Sequence, residues 1–288
     1  MTWAIAVHGG AGIWDEALHD LARAGVHAAA KEGGTLLGRG ASALDAVTAA
    51  VVMLEDNPLF NAGTGSALNR DGEAEMDASV MTGHDLGFGA VAAIRRVRNP
   101  VLVARLVMER SGHALLVAHG AEQFAREQGI VDYDPVTAEA RAAFQRARQD
   151  LRLGTVGAVA LDGEGRLASA TSTGGTLLKP PGRVGDTPLP GAGTYATRDA
   201  AVSATGKGEL TMRVLAAKSI CDLVSTGVAV QEALSRELEA MRHTVGGDAG
   251  FICVGRDGSI GIDHRTLHMA AAWWTSERSA IAATMARE

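Results

Sequence analysis

Aromatic residues, cysteine and proline are all scarce in this chain of 288 residues. Aromatic side chains make up 4% of it, and there are two cysteines and seven prolines. With so few aromatic rings, the core must be built from alanine, valine and leucine at close approach. Cys221 and Cys253 are too few for a disulfide framework, which indicates a reducing compartment. The low proline content argues against a disordered proline-rich tract.

The chain also lacks the basic charge and the long apolar runs of nucleic-acid-binding and membrane proteins. Its formal net charge is −6 and its pI is about 5.9, so neither a nucleic acid nor an anionic membrane is an expected partner. No apolar run reaches the length of a membrane span, and the first residues lack the basic and apolar segments of a signal peptide. These absences predict a cytoplasmic protein.

What the chain has in abundance is apolar residues (47%) and glycine (36 residues). Residues 156–161, directly after Gly154 and Thr155, form an apolar run that predicts a strand buried on both faces. Ser42 is predicted to cap a helix, and further helices are predicted near 114–128 and 209–226. The polar segment from about 130 to 154 reads as a linker. Strand pairs followed by helix pairs predict an α+β fold in which helix layers cover the sheets.

Several glycine clusters are similar to nucleotide-binding or hydrolase motifs but lack the required context. Residues 191–196 match a loose dinucleotide fingerprint, yet the pattern after them predicts a strand where that motif needs a helix. No phosphate-binding loop or nucleophile elbow is present. His264 and His268 have the spacing of a helical zinc-binding pair, but on the strand expected there they would lie roughly 13 Å apart, too far to share an ion. On spacing alone, Gly154 and Thr155 are most simply the edge of a hairpin.

Seven short motifs, read together with Gly154 and Thr155, change that interpretation. They are HGGAG (8–12), LE to NAG (54–63), MDASVM (76–81), TSTGG (171–175), PGRVGD (181–186), GAG (191–193) and TGKGE (205–209). In this order they resemble the plant-type asparaginase and isoaspartyl peptidase family of N-terminal-nucleophile (Ntn) hydrolases. The resemblance covers most of the chain and weakens after about residue 245.

The resemblance implies one Ntn-hydrolase domain over residues 1–288, built as a four-layer αββα sandwich. It also implies self-cleavage before Thr155 into 1–154 and 155–288, and a homodimer of cleaved precursors, (αβ)2. Gly154 is expected to adopt a strained backbone that presents its carbonyl to the Thr155 hydroxyl. The freed α-amine has a reference pKa of about 7.7–8.0, which suits it to act as the base for its own hydroxyl.

The family's catalytic positions are carried over to five residues of this chain. Thr155 would be the nucleophile, and Thr173 would hydrogen-bond its hydroxyl. Thr205 and Gly206 would donate to the developing oxyanion. Asn61 would support the loop that holds the nucleophile.

The substrate positions are three. Arg183 would bind the α-carboxylate and Asp186 the α-ammonium, while Gly208 would let the ammonium approach the backbone. Such a clamp leaves the side-chain amide at Thr155. The resemblance therefore implies small-molecule substrates, L-asparagine and β-aspartyl dipeptides, with release of L-aspartate and either ammonia or an amino acid. By itself, an Arg-x-x-Asp pair is usually a surface salt bridge.

No cofactor is expected for catalysis, but family members hold a structural sodium ion with backbone carbonyls. The corresponding carbonyls here belong to Leu54, Glu55, Asn57, Phe60, Ala62 and Thr64. Carbonyl oxygens suit a hard cation, although a plain helix-terminating loop explains the same pattern.

Three features depart from the family pattern. Leu153 stands where a histidine or aspartate often precedes the cut site, Lys207 places a cation beside the oxyanion loop, and residues 264–266 differ from the usual tail. Two alternatives therefore stand beside the asparaginase. One is a glycosylasparaginase-type amidase, and the other is a non-cleaving, non-catalytic relative that binds amino acids.

Overall fold

The computed structural model describes residues 2–146 and 154–285, in which helices and strands are mixed along the chain. The helices are α1 (His19–Gly38), α2 (Ala43–Glu55), α3 (Pro100–Arg110), α4 (Ala118–Glu127), α5 (Ala138–Arg146), α6 (Gly208–Val214), α7 (Ala216–Ser225) and α8 (Val230–Val245). The strands are β1 (Ala4–Gly12), β2 (Met76–Thr82), β3 (Phe88–Ile94), β4 (Leu115–Val117), β5 (Val156–Leu161), β6 (Leu167–Thr173), β7 (Thr194–Ala196), β8 (Ala200–Gly206), β9 (Ala249–Gly255), β10 (Ile260–His264), β11 (His268–Thr275) and β12 (Ala282–Thr284). None of these helices has the length and apolar character needed to cross a membrane.

The strands form two sheets, and β5 lies near the middle of the larger one. The larger sheet has the order β12-β11-β1-β5-β6-β2-β3-β4 and the smaller one β10-β9-β8-β7. Neighbouring strands are antiparallel except β3 and β4. Since β1 and β6 pair with its two edges, β5 begins at a position that the sheet fixes from both sides.

The apolar core falls into three clusters, each between two layers of structure. The first joins one face of the larger sheet to α1, α2 and α3. The second joins the smaller sheet to α7 and α8, and the third lies between the two sheets. Along β5, Val156, Ala158 and Ala160 belong to the first cluster, while Val159 and Leu161 belong to the third. The strand is therefore buried on both faces, as its sequence predicts.

Local sequence patterns predict most of the elements but not every boundary. Ser42 caps α2, since its hydroxyl accepts a hydrogen bond from the Asp45 backbone. The helix predicted near 114–128 is wrong at its start, because 115–117 form β4 beside the edge of β3. The helix predicted near 209–226 is interrupted at Leu215, whose φ of 51° is left-handed. Within the predicted linker, 138–146 form α5; residues 147–153, including Leu153, lie outside the described part of the chain.

Candidate active site

Thr155 is the residue directly before β5, and it is 6% exposed. β5 and β6 pair with Val156 opposite Ser172, so one further step places Thr155 opposite Thr173. The Thr155 hydroxyl donates to Thr173 Oγ1 at 3.3 Å. The register of two central strands thus brings the two threonines into hydrogen-bonding contact.

The carbonyl of Gly154, on the predicted scissile bond, accepts two side-chain hydrogen bonds. Asn61 Nδ2 donates to it at 2.9 Å and Thr173 Oγ1 at 3.1 Å. Thr173 Oγ1 in turn accepts from the Gly175 backbone N–H at 2.9 Å. Two donors on one carbonyl draw electron density toward its oxygen and make its carbon more open to attack by a hydroxyl.

Asn61 is itself held on three sides. Its Nδ2 also donates to the Gly175 carbonyl at 2.7 Å, and its Oδ1 accepts from the Ala67 N–H at 2.8 Å. Its own carbonyl accepts from the Gly174 N–H at 2.9 Å. These contacts fix the direction in which its amide group faces Gly154.

Gly154 does not have the left-handed backbone that would demand glycine. Its φ lies outside the positive range, and a Cβ added there would lie 3.4 Å from the Asn61 Cβ. The sequence-based expectation of strain therefore has no support from φ at this residue. The carbonyl is presented by hydrogen bonds from Asn61 and Thr173 instead.

A small cavity containing about 270 Å³ of empty space opens beside Thr155. Seven of the predicted site residues line it: Gly154, Thr155, Thr173, Arg183, Asp186, Gly206 and Gly208. Asn61 and Thr205 do not line it. Thr205 is buried at the end of β8, where its Oγ1 accepts from the Ala11 N–H at 3.0 Å, and Gly206 follows with a φ of 139°.

Arg183 and Asp186 bring opposite charges to this cavity. Arg183 donates from Nε and Nη2 to Glu209 Oε1 at 2.9 and 2.8 Å. Asp186 is buried and accepts from the Thr211 hydroxyl at 2.7 Å. A Cβ on Gly208 would lie 2.7 Å from Asp186 Oδ1, so glycine is needed there for the two segments to approach.

Burial raises the pKa of Asp186 to about 6, although the Thr211 hydroxyl and the Arg183 charge act in the opposite direction. The carboxyl is therefore charged at neutral pH and loses its charge in mildly acidic solution. A cation in the cavity would meet an anionic partner only above that pH.

His8, in the HGGAG motif, is buried next to the site but remains uncharged. Burial lowers its pKa to about 3, and its Nε2 lies 2.9 Å from Ser203 Oγ. A group with that pKa does not accept a proton at neutral pH. His8 therefore does not serve as the base that accepts the proton of the Thr155 hydroxyl.

The sequence reading missed Gly175, Thr176 and Glu209. Gly175 and Thr176 line the cavity, and Glu209 binds Arg183. Gly175 lies in the TSTGG motif and Glu209 in the TGKGE motif, so the sequence contains a signal for both residues. The motifs do not indicate which of their residues lie next to one another in the folded chain.

The backbone carbonyls of the 54–64 loop show whether this loop has free oxygens for a sodium ion. Those of Leu54, Glu55 and Asn57 accept backbone hydrogen bonds within the loop, whereas those of Phe60, Ala62 and Thr64 accept none from the described residues. Burial raises the pKa of the Glu55 carboxyl to about 8, so it carries no charge at neutral pH. The loop thus offers neutral oxygens, a donor set that fits a hard monovalent cation.

The site places a buried threonine hydroxyl beside the carbonyl of the preceding glycine, in a cavity that also holds an arginine and an aspartate. This arrangement suits a hydrolase that uses an N-terminal threonine as its nucleophile. The family described as "Asparaginase" matches residues 1–283, and this chain belongs to it.

Curated relatives cover nearly the whole chain. The plant-type L-asparaginase of Pyrococcus abyssi is 45% identical over 94% of this chain and 95% of its own. The isoaspartyl peptidase/L-asparaginase of Xenopus laevis is 46% identical over 88% and 86%. The isoaspartyl peptidase of Escherichia coli K12 is 42% identical over 93% and 92%.

Proposed function

We propose that this protein is a self-cleaving threonine hydrolase of the side-chain amide of L-asparagine and of β-aspartyl dipeptides. It releases L-aspartate together with ammonia or an amino acid. The observation that carries the proposal is the single cavity where the Gly154 carbonyl, the Thr155 hydroxyl, Arg183 and Asp186 meet. The names of the relatives support both substrate classes.

The first reaction is the cut between Gly154 and Thr155. Thr155 Oγ attacks the Gly154 carbonyl carbon, and Asn61 and Thr173 stabilise the charge that develops on the oxygen. The C–N bond then breaks and its nitrogen takes up the proton that the hydroxyl has lost, so an ester joins Gly154 to Thr155 Oγ and the α-amine is free. Water hydrolyses this ester, which leaves a Gly154 carboxylate and restores the Thr155 hydroxyl.

In the second reaction the new amine accepts the proton of its own hydroxyl, because no histidine at the site does so at neutral pH. Arg183 binds the substrate α-carboxylate and Asp186 the α-ammonium, which leaves the side-chain carbonyl carbon in front of Thr155 Oγ. Thr205 and Gly206 donate to the oxyanion. Ammonia or an amino acid departs, and water releases L-aspartate from the acyl-enzyme.

The same proposal includes the finer architecture. Three apolar clusters between successive layers support a four-layer αββα sandwich in one domain, 1–288. The products 1–154 and 155–288 stay together as an (αβ)2 homodimer in the cytoplasm, where the buried thiols of Cys221 and Cys253 remain reduced. A structural sodium ion is held by the carbonyls of the 54–64 loop.

Assays of L-asparagine, β-Asp-Leu and N-acetylglucosaminyl-asparagine side by side test the proposed substrates. We expect release of L-aspartate from the first two and none from the third, because the curated relatives are named asparaginases and isoaspartyl peptidases. The measurement is enzymatic detection of L-aspartate after self-cleavage is complete. Release from the glycosylated substrate alone would assign the protein to the glycosylasparaginases, and no release from any would leave an amino-acid-binding relative.

Substrate affinity is expected to fall in acid. Because the pKa of Asp186 is raised to about 6, its carboxylate is present above that pH and is lost as the pH falls through it. The KM for L-asparagine should then rise by about tenfold for each pH unit below 6. Initial rates from about pH 4.5 to 8 measure this, with Asp186→Asn as the control that removes the titrating group. A KM that stays constant from pH 7 to 5 contradicts the assigned role.

A further inference from the structure

Lys179 is a buried lysine beneath the loop that carries Arg183 and Asp186. Lys179 is 2% exposed, and its Nζ donates to the backbone carbonyl of Glu75 at 2.6 Å. An ammonium group removed from water is costly unless hydrogen bonds and opposite charges compensate it. The hydrolysis described above makes no use of this group.

Two buried carboxylates, those of Glu75 and Asp77, interact electrostatically with Lys179, and both bind the loop around Arg183. Glu75 Oε2 accepts from the Gly182 N–H at 2.9 Å, and Asp77 Oδ2 accepts from the Gly185 N–H at 3.1 Å. These two glycines stand on either side of Arg183 in the chain. The carboxylates therefore anchor the arginine's loop at two points.

The ammonium favours the ionised form of one of these anchors, Asp77, which accepts hydrogen bonds. Burial raises the pKa of the Asp77 carboxyl, and the charge of Lys179 is the largest influence in the opposite direction. Asp77 uses both oxygens as acceptors, since Oδ1 binds the Ala93 N–H at 2.8 Å. A protonated carboxyl would lose part of that capacity. Glu75 has a second cation, Arg95, at 3.0 Å from its Oε1.

Lys179 also has a fixed position relative to the nucleophile. A Cβ on Gly175 would lie 2.7 Å from Lys179 Nζ and 2.9 Å from its Cδ, so the lysine lies directly under that glycine. The Gly175 N–H binds Thr173 Oγ1, which accepts from Thr155. The same side chain therefore contacts the turn behind the nucleophile and the backbone of Glu75, whose carboxylate anchors the substrate loop.

We propose that Lys179 is a positioning residue, which sets the distance between the Arg183–Asp186 pair and Thr155 through Glu75 and Asp77. This inference rests on the proposed function, because it presumes that the pair binds the two charged groups of the substrate. Without the ammonium, Asp77 loses its favourable charge partner, its hold on the loop weakens and the substrate is held in the wrong place.

Lys179→Met, which keeps an unbranched side chain one atom shorter than lysine and removes its charge, tests the proposal. We expect the KM for L-asparagine and the inhibition constant of L-aspartate to rise by at least about tenfold, while kcat stays within about threefold. A purely structural role would lower the folded fraction, and hence the apparent kcat, without changing KM. Lys218→Met is the matched control, because that exposed lysine pairs with Asp222 on α7; its KM should equal that of the unaltered protein.

A Lys179→Met protein with unaltered KM and inhibition constant overturns the inference. If that variant does not fold, Glu75→Gln takes its place, since it removes the charge of one buried anchor. We expect at least a threefold rise in KM, and an unchanged KM overturns the inference equally. Failure of the proposed function is distinguishable, because the unaltered protein would then release no L-aspartate from either substrate.

Discussion

Replacing Thr155 with alanine is expected to leave one uncut chain and to lower kcat/KM for L-asparagine by at least about 10⁴-fold. The reason is that one hydroxyl serves both reactions. It attacks the Gly154 carbonyl, whose two donors are already in place, and afterwards it attacks the substrate. Intact-mass analysis reports the cut, and release of ammonia reports hydrolysis.

Thr155→Ser is the matched control, because serine keeps the hydroxyl and removes only a methyl group. We expect it to cut itself and to retain measurable hydrolysis. A Thr155→Ala protein that hydrolyses L-asparagine at the normal rate would remove the nucleophile from the proposal. A protein that is active but still carries a single N-terminus at residue 1 would do the same for self-cleavage.

The position of Thr155, the proposed nucleophile, is a part of the structure that the sequence predicts correctly. The apolar run 156–161 predicts a strand buried on both faces, and that strand lies near the middle of the larger sheet. Thr173 and Thr155 stand at matching ends of neighbouring strands, which the motif order implies and the register confirms. Both features follow from local alternation and short hairpins, which a single sequence contains.

Contacts between distant segments are what the sequence does not contain. Glu209 and Arg183 are 26 positions apart, and Glu75 and Gly182 are 107 apart, yet both pairs are within hydrogen-bonding distance. The periodicity of a sequence does not predict such a contact, because the contact depends on how loops meet at the end of two sheets. The buried Lys179 was invisible for the same reason, since an isolated lysine in a loop is normally exposed.

The errors in secondary structure have a similar origin. Residues 115–117 have a helical pattern with their neighbours, but their backbone pairs with β3 and the tertiary contact overrides the local preference. Leu215 interrupts a predicted continuous helix in a conformation that leucine seldom adopts. In both cases the deciding interaction is absent from the window in which the pattern is read.

Asn61→Asp is expected to slow self-cleavage by about 10²–10³-fold, which corresponds to about 3–4 kcal/mol of activation free energy. Asn61 Nδ2 is one of two donors to the Gly154 carbonyl, at 2.9 Å. Aspartate has nearly the same shape but no N–H, and its negative charge would face the oxygen on which negative charge develops. The rate at which fragments 1–154 and 155–288 appear on a denaturing gel measures the effect.

Asn99→Ala is the control for this variant, because Asn99 donates to Asp56 at the start of α3 and has no contact with Gly154. Its rate of self-cleavage should equal that of the unaltered protein.

Thr173→Val removes the second donor and should slow the cut to a similar extent, since the threonine hydroxyl lies 3.1 Å from the same oxygen. Because both donors act on one transition state, the double variant should be slowed by less than the product of the two single effects. Asn61→Asp protein that cuts itself at the normal rate would show that hydrogen bonding to this carbonyl does not limit the reaction.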